Sequence, residues 1–393
     1  MPPAMAMVLP MIFTVLEILA MEARRLRSGT SLKKTKMRRI YHIVVSALVV
    51  FAFLPSCQEK LEEPINENEP FKISVSALLE AHEEVSDESS DAGTRALIEN
   101  TGTNGGRWIL ATWEAGDKVY VYKVSSDATT AAAMFKKVGV LTATKNGVPF
   151  QDMVGDEGGS PGRRLGNLYY ETDLVGEIDA DLTLGDRDGL LFSYKHELGC
   201  DYTGQKGTLA DIDANYDYAL CFIHARVDHD YQRIKIPGKL HFSSQQAIVR
   251  FELIDEEDNP LIPSKLTVEA TPYGSWRNGL MPSWGIDDMF EAITRTYSNM
   301  DTDNSTNVAP IEVSNSSNSN IVYAAIRGND FNKPSYGSVG YSIVNSGNLY
   351  SCVFDMTATV GSDTYTYHRG LWHCYLNTYH EVRVRMKKKT TSD

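Results

Sequence analysis

Hydrophobic and polar residues alternate along most of this chain, and the alternation has the period of a strand. Phe71-Lys72-Ile73-Ser74-Val75-Ser76-Ala77 sends every second side chain to one face, which predicts a half-buried strand. The pattern recurs at Trp108–Thr112, Val119–Val124, Ala219–Ile223, Ile234–Ile236 and Lys239–Phe242. In the next run Ala247, Val249, Phe251 and Leu253 share one face, opposite Ile248, Arg250, Glu252 and Ile254. Leu266, Val268 and Ala270 mark a further strand, and Ile321–Ile326, Tyr350–Phe354 and Thr364–Tyr367 continue the series. In the last run Val382, Val384 and Met386 alternate with Arg383, Arg385 and Lys387. Turn clusters such as Glu114-Ala115-Gly116-Asp117 separate the runs, so the prediction is a mainly β protein of antiparallel sandwiches. Helical period is scarce. One short helix is expected in Asp287–Met300, with Ile286, Phe290 and Ile293 on one side and Asp287 as its cap, and a weaker one in Ala128–Lys137. Asn299–Asn320 is rich in Ser, Asn and Asp and reads as a long loop. A domain boundary is expected at Pro237-Gly238, dividing residues 96–238 from 239–393, and each part is long enough to bury its own core.

The N-terminal region breaks this pattern. Met37–Cys57 opens with Arg38 and Arg39 and runs apolar from Ile43 to Leu54, broken only by Ser46. An apolar run of about 12 residues spans roughly 18 Å of helix, short of the ~30 Å of a bilayer core, so residues 37–57 read as a signal peptide. It ends in Leu54-Pro55-Ser56-Cys57, which resembles a lipobox: a branched apolar residue, a small residue before the cut, then the cysteine whose thiol takes the lipid. Cys57 is therefore the expected lipid attachment site, with palmitate and an outer-membrane anchor implied. Residues 1–36 are expected to be a non-native extension upstream of a start at Met37. Residues 58–95 read as a polar linker with Pro64 and Pro70, then the Phe71–Ala77 strand, then the acidic, Ser-rich stretch Glu80–Thr94 as an exposed loop ending at Arg95. The acidic Gln58–Pro64 stretch resembles the signal that sends lipoproteins to the outer face of the outer membrane.

Charge narrows the partners. Lys+Arg 38 against Asp+Glu 51 gives −13, and without residues 1–57 the chain loses 8 basic and 2 acidic side chains and stands at −19. A nucleic-acid binder needs a basic face, so nucleic acid is excluded as a partner. Five cysteines in 393 residues exclude a disulfide-dense scaffold.

No motif amounts to an active site, and no enzyme, metal or cofactor is expected. Gly158-Gly159-Ser160-Pro161-Gly162 matches G-x-S-x-G, but its flanks offer no apolar strand, so it reads as a turn-rich loop. His196-Glu197 lacks the second histidine of a zinc helix. Asp301, Asp303, Ser305, Asn307 and Glu312 fall at calcium-loop positions, but Thr306 stands where the turn wants glycine. Asp179, Asp181, Asp186 and Asp188 form an acidic cluster with no ligand register and read as solvated loop. Cys200, Cys221, Cys352 and Cys374 can form two disulfides or stay as free buried thiols, and spacing does not choose between them. Trp276 and Trp284, with Tyr273 and Tyr297, are the candidates for glycan contact by stacking, against a packing role.

The layout resembles the fimbrillin family, subunits of type V pili. The resemblance rests on the lipobox at Cys57, the Phe71–Ala77 strand before a loop ending Thr94-Arg95-Ala96, and Trp108 followed by Thr112-Trp113-Glu114-Ala115-Gly116-Asp117-Lys118-Val119-Tyr120-Val121-Tyr122. It rests also on Leu240-His241-Phe242 through Ala247–Leu253 and on Asn377–Val384 as a closing strand. It implies two tandem transthyretin-like, Greek-key sandwich domains, and a surface lipoprotein cut between Arg95 and Ala96. The cut would free the Phe71–Ala77 strand, and a strand of the next subunit would fill the groove. Other fimbrillin subunits are then partners, with a host or bacterial surface glycan or protein as the adhesion target. The polar end Lys387–Asp393 cannot fill an apolar groove. Either Glu381–Met386 is itself the donor, or the chain is a tip or accessory subunit that only accepts a strand. The alternative reading is a surface glycan-binding lipoprotein serving an outer-membrane nutrient uptake system.

Overall fold

In the computed structural model, which describes residues 69–80, 83–84, 97–101, 107–151, 168–272, 280, 282–294, 309–328 and 349–390, the alternating runs become strands. β1 (Phe71–Glu80) and the two-residue β2 (Glu83–Glu84) come first, then a hairpin of β3 (Leu97–Thr101) and β4 (Arg107–Ala111). β5 (Lys118–Val124), one helical turn α1 (Ala131–Met134), β6 (Phe135–Ala143), β7 (Val148–Gln151), β8 (Leu168–Ile178) and β9 (Gly189–Tyr194) follow. Next are β10 (Cys200–Asp201), α2 (Leu209–Asn215), β11 (Ala219–Ile223), β12 (Arg226–Asp228), β13 (Arg233–Lys235) and β14 (Leu240–Ser244). The rest holds β15 (Ala247–Ile254), β16 (Lys265–Pro272), β17 (Ser283–Trp284), α3 (Ile286–Thr294), β18 (Ile311–Ser314), β19 (Ile321–Ile326), β20 (Leu349–Val360), β21 (Asp363–Cys374), β22 (Thr378–Arg385) and β23 (Lys387–Lys388).

The first sheet corrects the sandwich expectation. Its order is β1-β14-β11-β9-β5-β6-β8-β7, and β1 also pairs with β8. Those seven strands from β1 round to β8 therefore close on themselves, with β7 attached to the outer end of β8. Closure leaves only β7 and the first half of β1 without a second ladder partner, where a flat sandwich layer would have two full edges to protect. Length makes it possible: β8 carries 11 residues, enough to hold β7 and β6 in succession on one side and β1 along the other. β6 and β8 meet so closely that a Cβ on Gly139 would run into the Glu177 carbonyl, and one on Gly176 into the Val140 carbonyl. Leu240–Ser244, expected to open the second domain, is a strand of this ring, and the chain leaves it only between Ser244 and Ala247.

The second half forms a four-stranded sheet, β19-β15-β22-β2, and a five-stranded one, β18-β16-β20-β21-β23. β15 is central, and both of its faces are covered: Ile248 and Arg250 are buried along with Val249, Phe251 and Leu253. The segment between β9 and β11 ties the halves together. The Gln205 side chain donates to the Ala325 carbonyl at 2.9 Å and accepts from the Ala325 N–H at 2.7 Å, and β10 pairs with β17. From Asn66 onward the chain is one compact unit with one continuous buried cluster.

The helices differ from expectation in extent. α1 is a single turn, because Phe135 starts a strand; Thr130 caps it by accepting from the Ala133 N–H at 3.3 Å. α3 begins where Asp287 and Asp288 favour a first turn and is described to Thr294. α2 was not expected. Its signal is a capping pair: the Thr208 side chain accepts from the Asp211 N–H, with Asp211 in the first turn.

Candidate functional site

The candidate site is the slot occupied by β1. Along β1, Phe71, Ile73, Ala77, Leu78 and Leu79 are buried, while Lys72 and Ser74 are exposed. Two hydrogen-bonded neighbours hold it unequally. All 10 residues pair antiparallel with β8, from Phe71 opposite Ile178 to Glu80 opposite Tyr169. On the other side only Ala77, Leu78 and Leu79 pair, in parallel, with Leu240, His241 and Phe242. The shortfall has a local cause. Pro237 has no N–H to offer, and Gly238 sits at φ +80, a left-handed turn that carries the chain away from β1. Between residues 72–76 and 233–239 this leaves a gap of about 380 Å³, walled by Ile73 and Val75 on one side and Ile234 and Ile236 on the other.

Polar contacts line the outside of the slot. Lys72 lies opposite Glu177 and Ser76 opposite Asp173, where the Ser76 hydroxyl donates to the Asp173 carboxylate at 3.0 Å. Lys145 also reaches Asp173, at 2.7 Å, and Lys239 pairs with Glu171 at 2.8 Å. These bonds hold the Asp173 carboxyl below its ordinary pKa, the Lys145 bond first. At the entry end the Gln232 side chain donates to the Glu69 carbonyl at 2.6 Å, and Phe71 meets His229 edge-on at 5.7 Å. Beyond β1 the same segment continues into β2, which pairs in parallel with β22 through Glu83–Thr378 and Glu84–Tyr379. Residues 71–84 thus contribute a strand to both sheet systems.

The wall beside the slot is rigid. The Trp113 indole is 1% exposed, donates to the Tyr170 carbonyl of β8 at 3.0 Å, and packs edge-on against Tyr194 at 4.7 Å and Phe242 of β14 at 5.4 Å. The turn predicted at Glu114–Asp117 sets this up. Gly116 takes φ +98, the Asp117 carboxylate accepts from the Glu114 N–H at 2.9 Å, and the Tyr194 hydroxyl donates to it at 2.8 Å.

The expected site residues fall unevenly. Cys57, Arg95, Ala96 and Trp276 lie outside the described residues, as do Asp301–Asn307. Trp284 is not a stacking platform. It is 3% exposed, with the Arg327 guanidinium 4.4 Å over its ring and Tyr218 edge-on at 4.9 Å. Cys200 and Cys221 are free thiols, and burial pushes both up to about 12. Asp188 serves its own loop, accepting from the Gly185 N–H at 3.0 Å and the Ser126 N–H at 3.1 Å. Among the described residues, no group of three or more His, Cys, Asp or Glu side chains is placed to hold a metal. A buried charge cluster was not foreseen. Lys195, at φ 59, brings its ammonium 2.7 Å from Asp213 and 3.5 Å from Asp217. Burial pushes the Asp217 carboxyl up to about 6 against the pull of Lys195.

No family model matches the chain, and no curated protein matches it. Among solved structures, it is similar to a proposed cell adhesion protein from Bacteroides ovatus, at 10% identity over 82% of this chain and 96% of that one, with a TM-score of 0.33. It is similar also to the tip fimbrial protein Mfa3 from Porphyromonas gingivalis with C-terminal truncation, at 7% identity over 81% and 99%, TM-score 0.32. A third is the shaft pilin SpaA from Lactobacillus rhamnosus GG, at 9% identity over 81% and 99%, TM-score 0.20. These structural neighbours are adhesion, fimbrial and pilus proteins. At such identity and superposition the likeness carries no argument, and the functional reading rests on the chain itself.

Proposed function

We propose that this chain is a fimbrillin-like, non-enzymatic surface subunit that accepts a strand from a neighbouring subunit after its own β1 is cut free. The carrying observation is that a strand lying N-terminal to the acidic 85–95 stretch closes a ring that would be open without it. Its removal would open an apolar slot between β8 and β14 and strip β2 from β22 in the same event. The sequence supplies the rest of the reading: lipidation at Cys57, export to the outer surface, and cleavage between Arg95 and Ala96.

A tip or accessory position fits better than a stalk. The other donor candidate, Glu381–Met386, is spoken for: Val384 and Met386 are buried, and β22 pairs with β15 over Ile248–Ile254. The glycan-uptake reading loses one of its two tryptophans, Trp284, to the core.

The test is intact mass and N-terminal sequencing of the protein from its native envelope, with and without an arginine-specific protease inhibitor. The expected result is a mature N-terminus at Ala96 that disappears with the inhibitor. A chain that stays lipidated at Cys57 and uncut would reject the reading.

A further inference from the structure

Replacing a strand that is bonded along its whole length poses a kinetic problem. If every ladder bond had to break before a new one formed, the slot would stay empty of backbone partners while its walls met water, at a high free-energy cost. A foothold removes that problem, because the newcomer can bond before the resident leaves. β1 has one such place. In its first half the only ladder partner is β8, with Gln232 and His229 touching the entry end, and the gap beside residues 72–76 lies on the side where β14 pairs further along.

We propose that this gap is the entry site of the incoming strand. The segment it takes is extended, apolar at alternate positions, and carries a cation or hydroxyl between them. The inference rests on the reading that β1 is replaced, and it adds where replacement begins and what the partner looks like. Three features support it. The gap lies in the 300–1,000 Å³ range of ligand-sized pockets and is continuous with the slot itself. Its lining is mixed: Ile73, Val75, Ile234 and Ile236 offer apolar contacts to an incoming strand, and Lys72, Ser74, Ser76, Arg233 and Lys239 make up the polar part. The outer row of β8 presents Glu171, Asp173 and Glu177, so a strand settling against it meets carboxylates, as Lys72 and Ser76 of β1 do now. From the foothold the newcomer loses nothing by advancing. The three β14 pairs pass to it first, then the β8 ladder, each lost pair replaced by a new one.

The experiment uses the purified full chain, cut after Arg95 with an arginine-specific protease. The probe is a fluorescein-labelled peptide of residues 71–80, FKISVSALLE, which fits the slot by its own register. Fluorescence anisotropy follows its uptake, and mass spectrometry follows release of the cut segment. Two variants plug the gap from opposite walls, Ile236→Trp and the exposed Ser74→Tyr, with thermal melting and cleavage rate as folding controls. Both are expected to slow uptake at least tenfold. A K72E form of the peptide is expected to enter several-fold more slowly at low salt, the difference fading at 1 M salt and reversing in a Glu177→Lys protein. Uptake by both plugged variants at the wild-type rate would overturn the entry site. Equal uptake of the K72E peptide at low salt would overturn the stated partner chemistry. If wild type takes up no peptide unaided but does so when refolded with it, the entry site fails and the replacement reading stands. If peptide never enters under either condition, both fall.

Discussion

Asp217 shows how far burial can move one side chain. It is 1% exposed and shares Lys195 with Asp213, yet its carboxyl sits at about 6 against an ordinary 3.8. A carboxyl that binds its proton more tightly when folded adds stability below pH ~4, and that stability is lost as pH rises through about 6. His196 works the other way. Burial lowers its pKa, so it costs stability as pH falls through the ordinary histidine range. The two separate by substitution. Asp217→Asn, compared with wild type by urea denaturation, is expected to gain roughly 2 kcal/mol in relative stability between pH 4 and pH 7.5. A difference that stays flat with pH would show that Lys195 neutralises Asp217 completely. Little of this cluster could be read in advance, because its charges come together only when the turn at Lys195 and the end of α2 pack.

At the scale of elements, the sequence located strands by alternation or by a short apolar run between turn signals. Ala219–Ile223 and Ile321–Ile326 match β11 and β19 end to end, and the Phe71–Ala77 run lies inside β1. β8 and β9 went unlisted for opposite reasons. β9 reads Gly-Leu-Leu-Phe-Ser-Tyr and is buried at every position, so no polar face marks its period. β8 mixes acids and glycine with its apolar residues, because one face looks to solvent and Gly176 must let β6 approach. Pro237-Gly238 was legible as a break: it separates β13, which pairs with β12, from β14, which belongs to the ring. The close approach gives a direct test. Gly176→Val puts a branched side chain where the Val140 carbonyl stands, and it is expected to cost more than about 2 kcal/mol and to lower the melting temperature. A variant that melts with wild type would mean that β6 and β8 can part without loss.

For the whole molecule, what stayed hidden is closure. Alternation says that β1 has a buried face, but not that its two edges belong to strands about 100 and 160 residues away. Non-local pairing of this kind leaves no local mark. A slow-forming ring is the expected result of so many long-range contacts. It also makes Trp113 an optical gauge. The indole is sealed against water, bonded to β8 at Tyr170 beside the pair that Leu79 makes, and wedged against Phe242 of β14. Both neighbours of the slot therefore touch one fluorophore. The emission lost in Trp113→Phe should be blue-shifted while the slot is filled, move to the red when it is emptied, and return as a new strand is seated. The proposed strand exchange could then be followed by light that the molecule itself supplies, and an unchanged spectrum on emptying would mean the wall holds its shape without its seventh strand.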